Sequence, residues 1–376
     1  MHTIETVRRS SSFFRRAMLG LALVLAPGCA VNLKDKPVRS LKAALHQTSK
    51  PELCPGQAWP VVVTAELAGG EQLVTEGAGG GKVSWDSFKI ETVKGGHLAE
   101  KGVFVLAKDP RETYGSPAML RLSPLGSPAA AADLSIAARY DCDYSEDLRG
   151  AAGSGGRSGR SGEAGPDGRS GDKAQPSGGN GRSGTAGGNG SNGDHGAPGP
   201  DVEVTVALFP NAERPLLKVR VNAMGHKPRI HLVDPAGGGL TLKANGGDGG
   251  AGGAGGAGGR GGNGGAAAKG GVAGSGGDGS DGGDGGNGGN GGRGGRFVVI
   301  ASPEVRPYLH ALKLENAGGA AGAAGEGGMG GDGGSGSSAG RAGRSGRTGQ
   351  AGVSGRHGPP VEFRELEPAQ VAEMVW

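Results

Sequence analysis

Two patterns of hydrophobic and polar positions divide the chain near residue 149. Before it, apolar and polar residues alternate, as in Leu134–Tyr140 and Phe88–Glu91, which is typical of half-buried β-strands. Glycine clusters such as Gly77–Gly81 separate these runs and indicate turns. About six short strands at this spacing predict a β-sandwich over residues 52–145, immunoglobulin-like only in a loose sense.

After residue 149, a glycine at every third position replaces the alternation. Three glycine tracts carry this period, and each is interrupted once near its middle. Alternating runs such as Val202–Leu208 and Leu217–Ala223 lie between the tracts and predict strands. A tract that leaves a β-structure and returns to it makes a hairpin, so we expect six antiparallel legs. The legs are 150–173, 178–200, 246–265, 276–296, 318–335 and 339–359.

A three-residue period matches the left-handed polyproline II helix, which has three residues per turn and a rise of ~3.1 Å per residue. Glycine faces on such helices allow close backbone approach, and the amide and carbonyl groups remain available to neighbouring helices. We therefore predict an all-β fold with added glycine-rich polyproline II helices. In this prediction a β-sandwich is followed, over residues 146–376, by a six-helix polyproline II bundle on a small β-base.

Composition limits the alternatives for the glycine tracts. Glycine accounts for 85 of 376 residues and proline for 22, so the chain lacks the abundant proline of vertebrate-type collagen. A bacterial collagen-like trimer formed by the legs within 150–200 remains an alternative. A disordered glycine-rich spacer is a second alternative, because Gly/Ser-rich chains often stay unfolded.

Residues 282–319 join a Gly-Gly-X tract, the short strand Phe297–Ile300, a leucine-containing link and a further glycine tract. This order is similar to the glycine-rich N-terminal domain of the Obg GTPases, in which six polyproline II-like helices stand on a small β-structure. The resemblance covers about 150–366 and implies that architecture only. The chain has no G-x-x-x-x-G-K-[ST] motif, since Gly81-Lys82 is followed by Val83, so no GTPase domain is implied.

The first 28 residues are typical of an export signal. Four arginines, at positions 8, 9, 15 and 16, precede an apolar stretch at 17–26 that is too short to span a bilayer. The sequence Leu25-Ala26-Pro27-Gly28-Cys29 resembles a bacterial lipobox, which implies a Cys29 that carries diacylglycerol and a palmitate-type acyl chain. A cleaved secretory signal and an uncleaved anchor are the alternatives.

The lipobox resemblance sets the expected location. Residues 29–51 would form the lipidated N-terminus and a basic spacer, and Ala30 after the cysteine resembles the outer-membrane address of Gram-negative lipoproteins. The expected partner is the membrane itself, reached through the lipid anchor. We therefore expect an exported, lipid-anchored protein of the outer membrane or cell surface.

The remaining two cysteines predict a disulfide. With Cys29 lipidated, Cys54 and Cys142 are left as a pair in an oxidising compartment. The bond would tie the first strand of the predicted sandwich to the last. In the chain-entropy model a loop of this length stabilises a fold by roughly 4–5 kcal/mol.

Two rows of charge are candidate binding sites in the glycine tracts. Because residues three apart align in a three-residue helix, one row is a weak calcium candidate and the other a candidate polyanion ridge. The calcium candidates are Asp278, Asp281 and Asp284. The ridge consists of Arg341, Arg344, Arg347 and Arg356.

No catalytic residue is predicted. The G-x-S-x-G match at 336–340 lacks the strand and helix that a nucleophile elbow needs, and the eight histidines are scattered. We predict a non-catalytic, monomeric envelope lipoprotein with a structural or adhesive role, without a cofactor apart from the calcium candidate. No nucleic-acid partner is expected. The alternatives are a module that binds glycans or polyanions, and a collagen-like stalk or disordered spacer.

Overall fold

The N-terminal region consists of two β-sheets around one core. The structure is a computed structural model that describes residues 30–210 and 212–367. The strands are β1 (Val38–Leu45), β2 (Glu52–Leu53), β3 (Ala58–Leu67), β4 (Gln72–Val74), β5 (Phe88–Lys94), β6 (Gly96–Ala99), β7 (Val103–Leu106), β8 (Ala118–Pro124) and β9 (Ala132–Ala138). One sheet has the order β1-β3-β7-β6 with β4 on β3, and the other has the order β2-β9-β8-β5.

The alternating pattern accounts for this core. In β9, Leu134 and Ile136 are buried, whereas Ser135 is exposed. Phe104 from the first sheet and Leu120 from the second are fully buried in the same cluster as Ile136. The apolar faces of both sheets therefore point at each other, and burial of their side chains stabilises the region.

Strand β1 lies where the sequence predicts a spacer. The prediction assigns residues 29–51 to the lipidated N-terminus and spacer, but β1 pairs antiparallel with β3, from Leu41 opposite Ala65 to Leu45 opposite Val61. Arg39 and Lys42 are exposed on this strand, so basic residues here do not prevent sheet formation. Any spacer therefore ends before Val38.

The second region contains two further sheets, which form a β-base. Its strands are β10 (Asp143–Asp147), β11 (Val202–Leu208), β12 (Leu217–Ala223), β13 (Arg229–Val233), β14 (Gly239–Lys243), β15 (Phe297–Ala301), β16 (Leu312–Glu315) and β17 (Glu362–Glu365). The sheet orders are β10-β14-β16 and β13-β12-β11-β15-β17, and Phe297, Leu217 and Leu240 lie in their shared core. The predicted domain boundary at 145 falls inside β10.

The predicted six-helix polyproline II bundle, and with it the predicted fold class, is wrong. Across residues 30–210 and 212–367 the sheets number four, and the glycine tracts contain no helix. The helical segments of the described residues are five 3₁₀ segments outside the tracts, of which only the last exceeds one turn. They are Gly77–Gly79, Trp85–Ser87, Glu100–Gly102, Pro110–Glu112 and Pro303–Ala311. None of these described segments has the length and hydropathy that crossing a lipid bilayer requires.

The glycine tracts lack α and 3₁₀ helices because their amides donate to other segments. A helix of the α or 3₁₀ type closes hydrogen bonds within its own segment. In the tracts, glycine N–H groups donate to other segments instead, as from Gly153 to Asp248 at 2.8 Å and from Gly247 to Ala197 at 2.8 Å. The tracts are therefore extended segments joined laterally by backbone hydrogen bonds, and we call this structure the glycine array.

The glycine array has two layers of three segments. Segments 1, 3 and 5 (150–171, 246–266 and 317–335) run parallel in one layer, and segments 2, 4 and 6 (178–199, 274–295 and 338–358) run parallel in the other. Hydrogen bonds recur at every third residue within each layer and between the antiparallel layers. Segments 3 and 4 each bond to four others, so they form the centre of the array.

The base sets the register of the array. Strands β10, β14 and β16 pair in parallel and lead into segments 1, 3 and 5, while β11, β15 and β17 pair in parallel and follow segments 2, 4 and 6. Asp147 pairs with Lys243 in the sheet, and Asp167 bonds to Asn263 in the array, with the same separation of 96 residues. The first layer therefore continues the register of the β10-β14-β16 sheet.

Candidate functional site

A repeated side-chain contact fixes neighbouring segments of each layer. At Asp281, the carboxylate oxygen Oδ1 accepts the N–H of Arg344 at 2.6 Å. The next residue, Gly282, donates its own N–H to the carbonyl oxygen of the same Arg344 at 2.9 Å. One Asp-Gly pair thus binds both the N–H and the carbonyl oxygen of one residue in the adjacent segment. We call this arrangement an Asx-Gly clamp.

Asx-Gly clamps recur through both layers. Each pairs an asparagine or aspartate Oδ1 with the amide of one residue in the next segment, over distances of 2.6–3.0 Å. His195 takes the same place with its Nδ1, 2.7 Å from the amide of Asn290. The clamp residues are Asp167, Asn180, Asn189, Asn192, Asn245, Asp248, Asn263, Asp278, Asp281, Asp284, Asn287 and Asn290.

The second layer carries its clamps in successive rungs. Asn189 clamps Asp284, and Asp284 in turn clamps Arg347, so that one rung crosses segments 2, 4 and 6. We call the exposed side chains of these rungs on segments 4 and 6 the polar ladder. From the tip of the array toward the base, its rungs are Asp278–Arg341, Asp281–Arg344, Asp284–Arg347, Asn287–Gln350, Asn290–Val353 and Arg293–Arg356.

The structure brings the two predicted charge rows together. Arg341, Arg344 and Arg347 are exposed, and each shares a rung with an aspartate whose carboxylate accepts its backbone amide. The sequence predicts these rows as two separate binding sites because they lie 63 residues apart along the chain. The carboxylates offset much of the positive potential of the three arginines, since opposite charges on adjacent segments lie within a Debye length of ~8–10 Å.

Arg356, the fourth residue of the predicted ridge, has different surroundings. Its rung partner is Arg293, whose neighbour Gly294 donates to the carbonyl oxygen of Arg356 at 2.9 Å. Both arginines are exposed, and this rung contains no carboxylate. The basal end of the polar ladder is therefore its most positive part.

The three calcium candidates serve as clamp residues. Asp278, Asp281 and Asp284 are exposed, and each uses Oδ1 to accept a backbone amide. Within the residues that the structure describes, no group of three or more His, Cys, Asp or Glu side chains is arranged to hold a metal ion. The spacing that suggested a calcium row has a structural explanation in the clamps.

The predicted disulfide is present. Cys54 and Cys142 are bonded at 2.02 Å, which confirms the pairing. Cys142 directly precedes β10, so the bond ties the N-terminal region to the first strand of the base. Cys29, the predicted lipidation site, lies outside the described residues.

A cleft of about 420 Å³ lies where the two regions meet, and sequence reasoning missed it. Lys108 and Asp109 line it from the N-terminal region, and Glu146, Arg229 and His231 line it from the base. These residues come from separate stretches without a shared motif, so no sequence signal could have grouped them. Glu146 forms an ion pair with Arg229.

The pKa of His231 is lowered in this cleft, so its imidazole is neutral at pH 7. Burial, together with the positive charge of Arg229, lowers the pKa of its imidazole to about 4. Glu146 Oε1 lies 3.5 Å from Nε2, but its charge is already compensated by Arg229 and does not reverse this direction. Nearby, burial raises the pKa of Tyr144, whose hydroxyl has no hydrogen-bond partner among the described residues.

Comparison with protein-family models, with curated proteins and with solved structures gives no match for this chain. The geometry of its own residues is therefore what bears on its function. The polar ladder provides an extended, repetitive polar surface, and the cleft provides a site of mixed charge.

Proposed function

We propose that this chain is a non-catalytic lipoprotein of the bacterial outer envelope with a structural or adhesive role at the surface. The observation that carries the proposal is the glycine array, in which backbone bonds and Asx-Gly clamps hold the polar ladder in a fixed, repetitive pattern. A repetitive surface suits contact with another repetitive surface, such as a polymer or an array of envelope proteins. Nothing in this role requires bond-making chemistry.

The order of parts along the chain supports an anchored display. The proposed lipid site, Cys29, precedes the disulfide-tied N-terminal region, and the glycine array follows it. Replacing Cys29→Ala should move the protein from the membrane fraction to the soluble fraction without changing its unfolding temperature. If the variant stays in the membrane fraction, lipidation at Cys29 is wrong.

The adhesive role has a separate test. Cells that carry the full chain should adhere to a surface or to one another more than cells that carry the Cys29→Ala variant at equal expression. Equal adhesion of both strains, with the wild-type protein shown to be surface-exposed by protease shaving, would contradict the adhesive role. A buried periplasmic location in that assay would contradict surface display.

The Arg293–Arg356 rung favours a second candidate, recognition of a polyanion. Arg341, Arg344 and Arg347 of segment 6 are spaced about 9–10 Å apart along an extended chain, which is a repeat that a regular anionic polymer can follow. The carboxylate-free rung would make the strongest contribution, because its charge is not offset locally.

Binding of lipopolysaccharide and of heparin, as two polyanion probes, tests this second candidate. The double variant Arg293→Ala/Arg356→Ala should lose more affinity than the matched Arg341→Ala/Arg344→Ala variant, whose arginines face aspartates. Binding should also weaken as salt is raised. No measurable binding at low salt would exclude the polyanion function while leaving the structural one untouched.

The collagen-like trimer and the disordered spacer make different predictions. In the array, the lateral hydrogen bonds of the segments are made within a single chain. Light scattering at micromolar concentration should therefore give a monomer, and protease should leave residues 150–366 intact. A trimer, or rapid cleavage throughout 150–200, would favour those alternatives.

A further inference from the structure

Seven of the clamps contain an Asn-Gly pair, which is a chemically labile dipeptide. The backbone nitrogen of the glycine can attack the side-chain carbon Cγ of the asparagine. A nitrogen–carbon bond forms, the bond from Cγ to the side-chain nitrogen breaks, and the proton lost by the attacking nitrogen passes through solvent to the leaving nitrogen, which departs as ammonia. Water then opens the resulting succinimide to aspartate or isoaspartate. The pairs begin at Asn180, Asn189, Asn192, Asn245, Asn263, Asn287 and Asn290.

Each clamp occupies both groups that this reaction needs. At Asn287, the backbone nitrogen of Gly288 donates its N–H to the carbonyl oxygen of Gln350 at 2.8 Å, so this hydrogen is held in a bond to another segment. Asn287 Oδ1 accepts the N–H of Gln350 at 2.8 Å, which fixes the carbon that would be attacked. Cyclisation requires that both hydrogen bonds break and that the glycine nitrogen approaches Cγ of the asparagine.

We propose that the seven Asn-Gly pairs are deamidation sites that the closed array silences and that local opening of the array activates. Modification then proceeds through the open state, and its rate falls by about tenfold for each 1.4 kcal/mol of opening free energy. The product also matters. Aspartate can keep the clamp, as Asp281 does at 2.6 Å, whereas isoaspartate inserts an extra backbone carbon and shifts the register of the segment.

The position of each pair in the array predicts an order of modification. Asn180 lies near the connecting turn of an outer segment, far from the base. Asn245 lies two residues after the end of β14, and the hydrogen bond from Ala317 to its Oδ1 is partly buried. Because segment ends fray more readily than segments held by a sheet, Asn180 should be modified first and Asn245 last.

Mass spectrometry of peptides from aged protein tests the proposal. The full chain is incubated at neutral pH, once folded and once in urea, and the mass gain of each asparagine peptide is followed. We expect all seven sites to react at least about tenfold more slowly in the folded chain, with Asn180 ahead of Asn245. Equal rates in both samples, or equal rates at Asn180 and Asn245 in the folded chain, would overturn the proposal.

A matched pair of proline variants isolates one clamp. Gln350→Pro removes the N–H that Asn287 Oδ1 accepts, whereas Ala351→Pro removes an N–H for which no partner lies among the described residues. Asn287 should deamidate several-fold faster in Gln350→Pro only, while Asn290 keeps its rate because its clamp on Val353 is intact. An unchanged rate at Asn287 contradicts the proposal.

Global unfolding of the Gln350→Pro variant is recognisable in the same measurement. In that case all seven sites would accelerate together, and circular dichroism would show loss of the folded state. The deamidation rates of Asn180 and Asn245 in the wild-type chain then test the proposal, because that comparison needs no variant. Deamidation at the seven sites is also independent of any surface ligand.

Discussion

The two regions of this molecule bury different atoms: the N-terminal region buries side chains, and the glycine array buries backbone. In the N-terminal region, side chains such as Phe104, Leu120 and Ile136 are fully buried between two sheets. In the glycine array, the buried atoms of the central segments belong to the backbone, as at Gly253 and Gly286, and the side chains are mostly exposed. The same chain therefore uses hydrophobic burial in one half and a hydrogen-bonded backbone lattice in the other.

This difference reverses the usual effect of a substitution. In a side-chain core, removing methyl groups leaves a cavity and destabilises the fold. In the array, an added methyl group clashes with a neighbouring backbone, because a Cβ at most interior glycines would lie about 2 Å from a carbonyl oxygen. Glycine is required there for close approach, and its large loss of entropy on folding is offset by the lateral hydrogen bonds.

The largest expected effect comes from a side chain at the centre of the array. In Gly286→Val, the Cβ would lie 2.0 Å from the carbonyl oxygen of Ser191, so segments 2 and 4 of the second layer must separate. We expect a loss of at least about 5 kcal/mol, enough to unfold the array. Protease sensitivity of residues 150–359 and calorimetry measure the loss, while the N-terminal region should keep its own transition.

A second glycine of the array serves as the control for that variant. At Gly155, the atom nearest to an added Cβ is the carbonyl oxygen of Ala251 at 3.8 Å, which is an ordinary contact. Gly155→Val should therefore unfold within about 0.5 kcal/mol of the wild type. If both variants unfold alike, close approach of backbones is not what holds the array together.

The next effect concerns the covalent tie between the regions. Cys142→Ser opens a bond between residues 88 positions apart, and the chain-entropy model gives a destabilisation of roughly 4–5 kcal/mol. The loss should appear in the N-terminal transition and leave the protease resistance of 150–359 unchanged. A reduced wild-type sample is the matched control and should behave like the variant. A loss confined to the array would contradict the separation of the two regions.

Some of this architecture could be predicted from the sequence, because local patterns carry it. Alternating apolar and polar residues predicted strands β9 and β11, and the two cysteines left after Cys29 predicted the disulfide. Strand β1 was missed because its exposed basic residues indicate a spacer when no pairing partner is visible. The bundle prediction was wrong because a period of three specifies a repeat but not which segment accepts each hydrogen bond.

The clamps could have been found from one signal that the sequence contains. Asparagine or aspartate directly before glycine recurs in the first and second tracts, and the separations of 95 and 63 residues match across segments. Reading aspartates as charges rather than as hydrogen-bond acceptors led to the calcium candidates. The cleft with Glu146 and His231 was out of reach, because distant strands assemble it.

A pH effect is expected where the two regions meet. The folded-state pKa of His231 is about 4, below its ordinary 6.5, so between these values the unfolded chain binds a proton that the folded chain does not. Stability should therefore fall as the pH drops from about 6.5 to about 4, by about 3 kcal/mol from this group. Urea unfolding at pH 7 and pH 4 measures the change.

The variant His231→Phe removes that titration while it keeps an aromatic ring beside Tyr144. Its stability should change less between pH 7 and pH 4 than that of the wild type, with the difference near 3 kcal/mol. The acidic residues of the chain titrate in both proteins and cancel in this comparison. An identical pH dependence in both proteins would mean that His231 is protonated in the folded state.

The smallest expected effect concerns a single clamp. Asp281→Ala removes the oxygen that accepts the Arg344 amide at 2.6 Å, and the net contribution of one such hydrogen bond is about 1 kcal/mol. Asp281→Asn keeps an oxygen in the same place, as the asparagine of the Asn287 clamp does, and should unfold like the wild type. Urea unfolding of the array measures both variants.

If Asp281→Asn loses as much stability as Asp281→Ala, the charge of the aspartate row beside the arginines stabilises the layer, and the hydrogen bond does not. If neither variant loses stability, the glycine backbone alone holds the register, and the clamps act only on the chemistry of the asparagine side chains.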